Sequence, residues 1–183
     1  MSILKKNVSL SGDEYLEGEQ YSDIRHEYEH GEVVAMVGAS RKHKRLAGNV
    51  FALLHRHLGS TRCEAFISDM KVHVGDCFYY PDVVVGCEPG DNHDFYLEHP
   101  VLIVEVLSES TEQRDRTVKR LAYQSIPSLS EYLLLSQEAP GAELFRRTEE
   151  GWDLEIYALG EGVHLASVDL EIPLNEIYRG VDG

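Results

Sequence analysis

The chain has 183 residues, a length that suits one domain, residues 1–183, with a sizeable core. Its apolar fraction of 43% is normal for a globular protein and too high for a disordered one. The longest apolar runs are only a few residues, and the N-terminus lacks a long apolar stretch. These features exclude a membrane span, argue against a secretory signal and predict a cytoplasmic protein.

The formal net charge is -15. Non-specific DNA affinity comes mostly from Lys and Arg, so an acidic chain repels DNA unless positive charge is local or a metal offsets the carboxylates. Two basic clusters, 41–45 and 114–120, could supply that charge or be solvated helix faces. The cysteines Cys63, Cys77 and Cys87 contain no Cys-x-x-Cys pair, and we expect all three to be reduced.

Hydrophobic periodicity and capping signals place the elements in chain order. Ser11 and Glu14 form a capping box that opens the first helix, and Ser40 is the N-cap of the second. The predicted helices cover residues 12–19, 41–58, 112–125 and a last turn at 173–178. The predicted strands cover a hairpin within 24–37, then 63–67, 70–74, 79–87, 101–107, 131–135, 142–146, 152–157 and 163–165.

This order predicts an α/β (mixed α+β) fold in which helices flank a central mixed β-sheet. The strand at 101–107, the helix at 112–125 and the strand at 131–135 suit a β-α-β crossover. The β-rich tail predicts an antiparallel extension at the C-terminus. Its exposed edges could pair with a second copy of the chain, so we expect a homodimer.

Two carboxylates, Asp82 and Glu105, accompany buried-strand sequences in which a sheet would prefer apolar side chains. A lone buried carboxylate is costly unless it is paired, protonated or bound to a cation. If the two strands pair, one Mg²⁺ or Mn²⁺ fits between these carboxylates, and Lys119 on the following helix could reach them. Alternatively, Glu105 pairs with an arginine, Asp82 ends a loop and Lys119 lies on the surface.

Several motifs resemble the Uma-type "putative restriction endonuclease" family of the PD-(D/E)xK nuclease superfamily. They are Tyr80-Pro81-Asp82, Ile103-Val104-Glu105-Val106-Leu107-Ser108, Ser110-Thr111, Asp115-Arg116, Lys119, Pro127-Ser128-Leu129-Ser130-Glu131-Tyr132, Glu27-Tyr28-x-x-Gly31-Glu32 and Ser40-x-x-His43. The resemblance implies a restriction endonuclease-like core, with Asp82 and Glu105 as metal-binding carboxylates. It also implies that Glu27 is a further acidic residue near the metal.

The chain departs from the superfamily pattern at Leu107, where the pattern places a lysine. In related proteins that lysine can migrate to the following helix, which matches Lys119. Lys71, on a neighbouring strand, is the second candidate. His43, one turn into its helix, either faces the same cleft or faces water.

Two hypotheses for function follow. The first is a metal-dependent nuclease that hydrolyses phosphodiester bonds in DNA, with Asp82, Glu105, Lys119 and Glu27 as catalytic residues and Mg or Mn as cofactor. The second is a catalytically silent binding or interaction module on a nuclease fold, which the net charge and Leu107 favour. The sequence does not identify the base sequence that would be read.

Overall fold

A computed structural model describes residues 9–91 and 93–181. The helices are α1 (Gly12–Glu19), α2 (Arg41–Leu58), α3 (Glu112–Arg114), α4 (Arg120–Gln124) and α5 (Leu174–Ile177), with a π-helical segment at Asp115–Lys119 and a 3-10 turn at Ala166–Val168. The first six strands are β1 (His26–Glu29), β2 (Glu32–Ala35), β3 (Glu64–Ile67), β4 (Lys71–Val74), β5 (Cys77–Tyr79) and β6 (Val83–Gly86). The others are β7 (Tyr96–Leu97), β8 (Pro100–Val106), β9 (Glu131–Leu135), β10 (Gly141–Thr148), β11 (Gly151–Ala158), β12 (Gly162–Leu165) and β13 (Leu170–Pro173).

The main sheet has six strands in the order β11-β10-β9-β8-β6-β3. The β8–β9 pair is parallel, and the other pairs are antiparallel. The helical stretch from α3 to α4 connects β8 to β9, as the predicted crossover requires. The predicted mixed α/β fold is therefore confirmed, with β10–β11 and the β12–β13 pair forming the antiparallel C-terminal part.

Each face of this sheet packs against helices. The apolar stripe of α2, including Leu46 and Val50, packs with Val83 and Val104 in one buried cluster. The next residues along the same strands, Val84 and Ile103, point to the other face and pack there with Tyr123 and Leu134. This alternation follows from the two-residue period of strands. It assigns the side chain of Glu105 to the face that carries Ile103, beneath the helix that carries Lys119.

The second sheet corrects the predicted strand at 79–87. That run is two strands: β5 belongs to a five-stranded sheet of order β2-β1-β5-β4-β7, and β6 belongs to the main sheet. The break falls at Tyr80-Pro81-Asp82, where proline has no backbone N–H to donate to a ladder. The predicted hairpin is confirmed as β1–β2, and the short strand β7 lies in a stretch without a predicted strand.

The cysteine prediction is wrong for two of the three residues. Cys63 and Cys87 form a disulfide, with Cα atoms 4.0 Å apart, while Cys77 is free and buried. The cause is strand register: Glu64 lies opposite Gly86 in the β3–β6 pair, so the residues just outside that pair face each other. The sequence spacing of 24 residues does not reveal this proximity. Over residues 9–91 and 93–181, no helix has the length and apolar character needed to span a bilayer.

Candidate active site

Asp82 lies at the break between the two sheets, just before β6. One carboxylate oxygen, Oδ2, accepts a hydrogen bond from the backbone N–H of Val106 at 2.8 Å. The other, Oδ1, lies 2.6 Å from Nε2 of His43, in the first turns of α2. The β6–β8 register pairs Val83 with Val104, so Asp82 comes next to Glu105 along the sheet. His43 therefore faces the cleft, which was the first of the two predicted placements.

Gln137 and Ser40 fix the position of the His43 ring. Gln137 Nε2 lies 3.4 Å from Nδ1 of His43 and donates to the carbonyl of Leu107 at 2.6 Å. Ser40 Oγ donates to Gln137 Oε1 at 2.5 Å and caps α2 by accepting from the His43 N–H. Because an amide nitrogen can only donate, Nδ1 of His43 acts as the acceptor and Nε2 carries the proton toward Asp82. The ring thus holds one oxygen of the Asp82 carboxylate.

Glu105 is a carboxylate buried inside the fold, with 4% of its surface exposed. Its Oε1 accepts hydrogen bonds from Lys119 Nζ at 3.0 Å and from the Tyr123 hydroxyl at 3.2 Å. Burial raises the pKa of Glu105 well above its ordinary value, and the ammonium of Lys119 opposes that rise. The negative charges of Asp115 and Asp82 raise the pKa of Glu105 further.

Lys119 lies at the centre of a group of carboxylates. Its Nζ is 2.8 Å from Glu27 Oε1, 3.0 Å from Glu105 Oε1 and 3.4 Å from Asp115 Oδ1. Burial lowers the pKa of Lys119, but Glu105, Tyr123 and these other carboxylates outweigh burial and raise it well above its ordinary value. The amine therefore stays protonated, which suits a donor to negative charge and not a general base.

The helix carrying Lys119 is not a regular α-helix, which corrects the single helix predicted at 112–125. Residues Asp115–Lys119 form a π-helical segment between α3 and α4. Both end residues of this segment, Asp115 and Lys119, are buried. Segments of this type occur frequently at functional sites because the extra residue re-aims the side chains around it. Here the segment directs an acid and an amine to the same buried space.

Glu27 lies in the middle of β1 and joins the group from the second sheet. Its Oε1 accepts from the backbone N–H of Tyr80 at 3.2 Å, and its Oε2 lies 3.0 Å from Arg114. Arg114 also contacts Glu29 at 2.6 Å. The basic cluster at 114–120 is thus engaged largely in internal ion pairs and is not a free solvated face.

Of the two lysine candidates, only Lys119 lies among these carboxylates. The Lys71 ammonium lies instead over the Tyr80 ring, 5.0 Å from its centroid, and over the Phe95 ring at 5.8 Å. Sequence reasoning missed Asp115, Arg114 and Gln137. Asp115 had a signal, since it precedes Lys119 by four residues within a helix, a spacing that brings side chains together.

The family comparison bears on the whole arrangement. The model of the Uma2 family, described as "Putative restriction endonuclease", matches residues 13–175. The chain belongs to the Uma2 family. The match includes all four predicted site residues of this Uma2 chain, from Glu27 on β1 to Lys119 on the π-helical segment.

Relatives and a solved structure agree with this assignment. The Uma2 chain is 35% identical over 176 residues to the uncharacterized protein slr1290 of Synechocystis sp., covering 94% of this chain and 93% of that one. It is 32% identical over 170 residues to sll1609 of the same organism, covering 90% and 96%. A crystal structure from Anabaena variabilis, titled "a putative nuclease belonging to DUF820", aligns with a TM-score of 0.77 at 17% identity, covering 92% of this chain and 97% of that one. This likeness shows a shared fold.

Restriction endonuclease-like families such as Uma2 generally use divalent metal ions, so the donors of this site can be tested for fit. Carboxylate oxygens are the ligands that Mg²⁺ prefers, and it commonly takes only one or two from a protein. Four neighbouring carboxylates face one lysine and one arginine, which leaves excess negative charge. The donor chemistry fits such a cation, although no group of three ligating side chains within residues 9–91 and 93–181 is arranged around a metal position.

Proposed function

We propose that this Uma2 protein is a metal-dependent nuclease that hydrolyses phosphodiester bonds in DNA. The observation that supports the proposal is that Asp82, just before β6, stands next to Glu105 of the paired strand β8 in the register, with the Lys119 ammonium 3.0 Å from Glu105. A restriction endonuclease-like fold supports the class of reaction, and the chemistry of the site supports the assignment of residues.

The proposed roles follow from charge and position. Asp82 and Glu105 would hold Mg²⁺ or Mn²⁺, which supplies polarisation of a phosphate oxygen and activation of a bound water. Lys119, whose pKa is raised, keeps its proton and donates it in hydrogen bonds to the negative charge that develops on the phosphoryl oxygens. Glu27 fixes the Lys119 amine and the backbone of Tyr80, and His43 fixes the Asp82 carboxylate.

Cleavage of supercoiled plasmid in Mg²⁺ or Mn²⁺ tests the proposal. The wild-type protein should convert supercoiled DNA to nicked and linear forms, and chelation of the metal should stop the reaction. Asp82→Ala and Glu105→Ala should abolish cleavage, while Glu149→Ala, which removes an exposed carboxylate in the β10–β11 turn, should not. Equal cleavage by all four proteins, or none by wild type, refutes the proposal.

One observation favours the catalytically silent module as the second candidate. Lys119 is already in ion pairs with Glu27, Glu105 and Asp115, so the site is partly neutralised without a metal. A silent module predicts no heat on titration with Mg²⁺ or Mn²⁺ and the same unfolding midpoint with and without metal. Metal binding that disappears in Asp82→Ala counts against it.

A further inference from the structure

The helix α2 differs in charge from the rest of the chain. Its 18 residues include five Lys or Arg, four of them within 41–45, and no Asp or Glu. The whole chain has a formal net charge of -15, so the remainder is more negative still. The other basic cluster, at 114–120, is engaged largely in ion pairs with Glu27, Glu105 and Glu143. The start of α2 is therefore the place where an acidic chain presents positive charge.

Three of these cations share one face of the helix. Arg41, Lys44 and Arg45 have the spacing i, i+3, i+4, which brings side chains to the same side of a helix, and all three are exposed. The buried stripe, which includes Val50, lies on the opposite side. Within the part of the chain that the structure describes, the three side chains make no hydrogen bond or ion pair. We call Arg41, Lys44 and Arg45 the basic face of α2.

The basic face does not stabilise the helix that carries it. The N-terminal end of a helix has partial positive charge, so cations in its first turns are unfavourable, and no acidic residue in the first turn of α2 offsets them. Arg41 and Arg45 also repel each other across one turn. An anion outside the chain would relieve both effects.

Gly48 extends the same side of α2 by one turn and provides a second observation. It lies in the middle of the helix, seven residues after Arg41, where glycine is less favourable than alanine. A Cβ atom at this position would meet nothing within 4 Å among the described residues, so packing inside the chain does not require a glycine. Glycine is used where a backbone must come close to a ligand. The helix surface at Gly48 is therefore open to close approach by a partner.

The basic face lies beside the candidate active site. His43, one residue before Lys44, has its Nε2 atom 2.6 Å from Oδ1 of Asp82. The first two turns of α2 are held at the cleft by this contact, whereas Arg56, in the last turn, is about 22 Å along the helix from Arg41 at 1.5 Å per residue. A polyanion bound to the basic face would therefore continue into the proposed reaction centre.

This position favours a nucleic acid over an acidic protein surface. We propose that the basic face of α2 binds backbone phosphates of the DNA strand that flanks the bond to be cut, and that the strand crosses the helix at Gly48. The proposal rests on the proposed function. It explains how a chain with a net charge of -15 can bind a polyanion, since non-specific affinity depends on the cations that meet the phosphates.

The test measures binding separately from cleavage. The full-length protein is titrated onto a short fluorescent DNA duplex, followed by anisotropy, in Ca²⁺ and over a series of salt concentrations. The slope of log K against log salt should fall by about 0.9 for each phosphate contact that is lost. Arg41→Gln, Lys44→Gln and Arg45→Gln should each weaken binding and reduce the slope, and the triple variant should reduce it most. Arg56→Gln removes an exposed charge from the far end of the same helix and should leave both unchanged.

Two results could not come from damage to the fold. The three glutamine variants remove unfavourable charges from the start of a helix, so their Tm should be equal to or above that of wild type while their binding is weaker. Gly48→Leu keeps every charge and replaces glycine with a better helix former, so it should raise Tm. The same variant should weaken duplex binding, because its side chain occupies the surface that the strand crosses.

The outcomes separate this proposal from the proposed function. Metal-dependent cleavage by wild type together with equal salt slopes in all variants overturns the basic face and leaves the nuclease standing. Binding that depends on the basic face, without cleavage, supports the face and refutes the nuclease. Absence of duplex binding by wild type, or binding by Gly48→Leu as tight as that of wild type, overturns the proposal. Light scattering that shows loss of a dimer in the triple variant, with duplex binding unchanged, assigns the face to a second copy and also overturns it.

Discussion

Replacement of Lys119 by methionine tests whether this amine compensates for the buried carboxylates. Lys119→Met keeps an apolar side chain of similar length and removes a charge that lies 2.8, 3.0 and 3.4 Å from Glu27, Glu105 and Asp115. Removal of one partner from a buried ion pair typically costs about 3–5 kcal/mol. We expect a loss in that range, since Lys119 is buried, whereas a surface pair contributes about 0–1 kcal/mol. A loss of this size is a large part of the roughly 5–15 kcal/mol that stabilises a typical domain.

Urea unfolding, followed by circular dichroism, gives the measurement. The loss should be largest at mildly alkaline pH and smaller at mildly acidic pH, because carboxylates without the amine have raised pKa values and take up protons as the pH falls. Adding Glu105→Gln removes one uncompensated charge, so the double variant should be more stable than Lys119→Met alone. Lys44→Met, at an exposed lysine, is the control and should change stability by less than about 0.5 kcal/mol. A loss no larger than that of the control, at both pH values, would refute the reasoning.

Three further predictions concern orientation, charge and assembly. His43→Ala should slow metal-dependent plasmid nicking about 10–100-fold, since groups that orient a metal ligand typically contribute that much; an unchanged initial rate contradicts it. Burial lowers the pKa of the Lys71 amine in the folded protein, so the unfolded chain binds the proton of this amine more tightly. The buried charge therefore destabilises the folded protein at neutral pH, and this destabilisation disappears as the pH rises past the pKa of the amine in the unfolded chain. Lys71→Met should raise Tm at neutral pH by a margin that shrinks toward alkaline pH, and a lowered Tm at neutral pH contradicts this. The homodimer stays a prediction: the edge strands β2 and β11 expose apolar side chains such as Val33 and Ile156, and light scattering at the monomer mass would refute it.

Much of the fold could be predicted because its signals are local. The capping box of Ser11 and Glu14 and the N-cap at Ser40 mark the starts of α1 and α2, and both caps form. Runs of β-branched residues mark β6 and β8, and both strands are buried on both faces. The extent of a single domain over residues 1–183 and the cytoplasmic location stay predictions.

The change of sheet, the disulfide and the choice of lysine depend on tertiary contacts, which no local sequence pattern reveals. The sequence at 79–87 does not show the change of sheet at Pro81, because β5 and β6 are both buried and have similar apolar sequences. The Cys63–Cys87 bond depends on strand register and not on spacing. The sequence favours Lys119 over Lys71 without deciding between them, since only tertiary packing determines which amine reaches Glu105.

The π-helical segment also limits how this chain can change its length. Successive residues of a helix are turned by about 100° from one another, so a deletion between Asp115 and Lys119 would rotate one end of the segment away from the cleft. A shortened helix would regain regular α-helical hydrogen bonds while turning Lys119, relative to the residues before the deletion, away from Glu105. Substitutions at Thr117 or Val118 should therefore be tolerated far better than removal of either residue, and loss of a single codon here would break the ion pairs of Lys119 while leaving a well-formed helix.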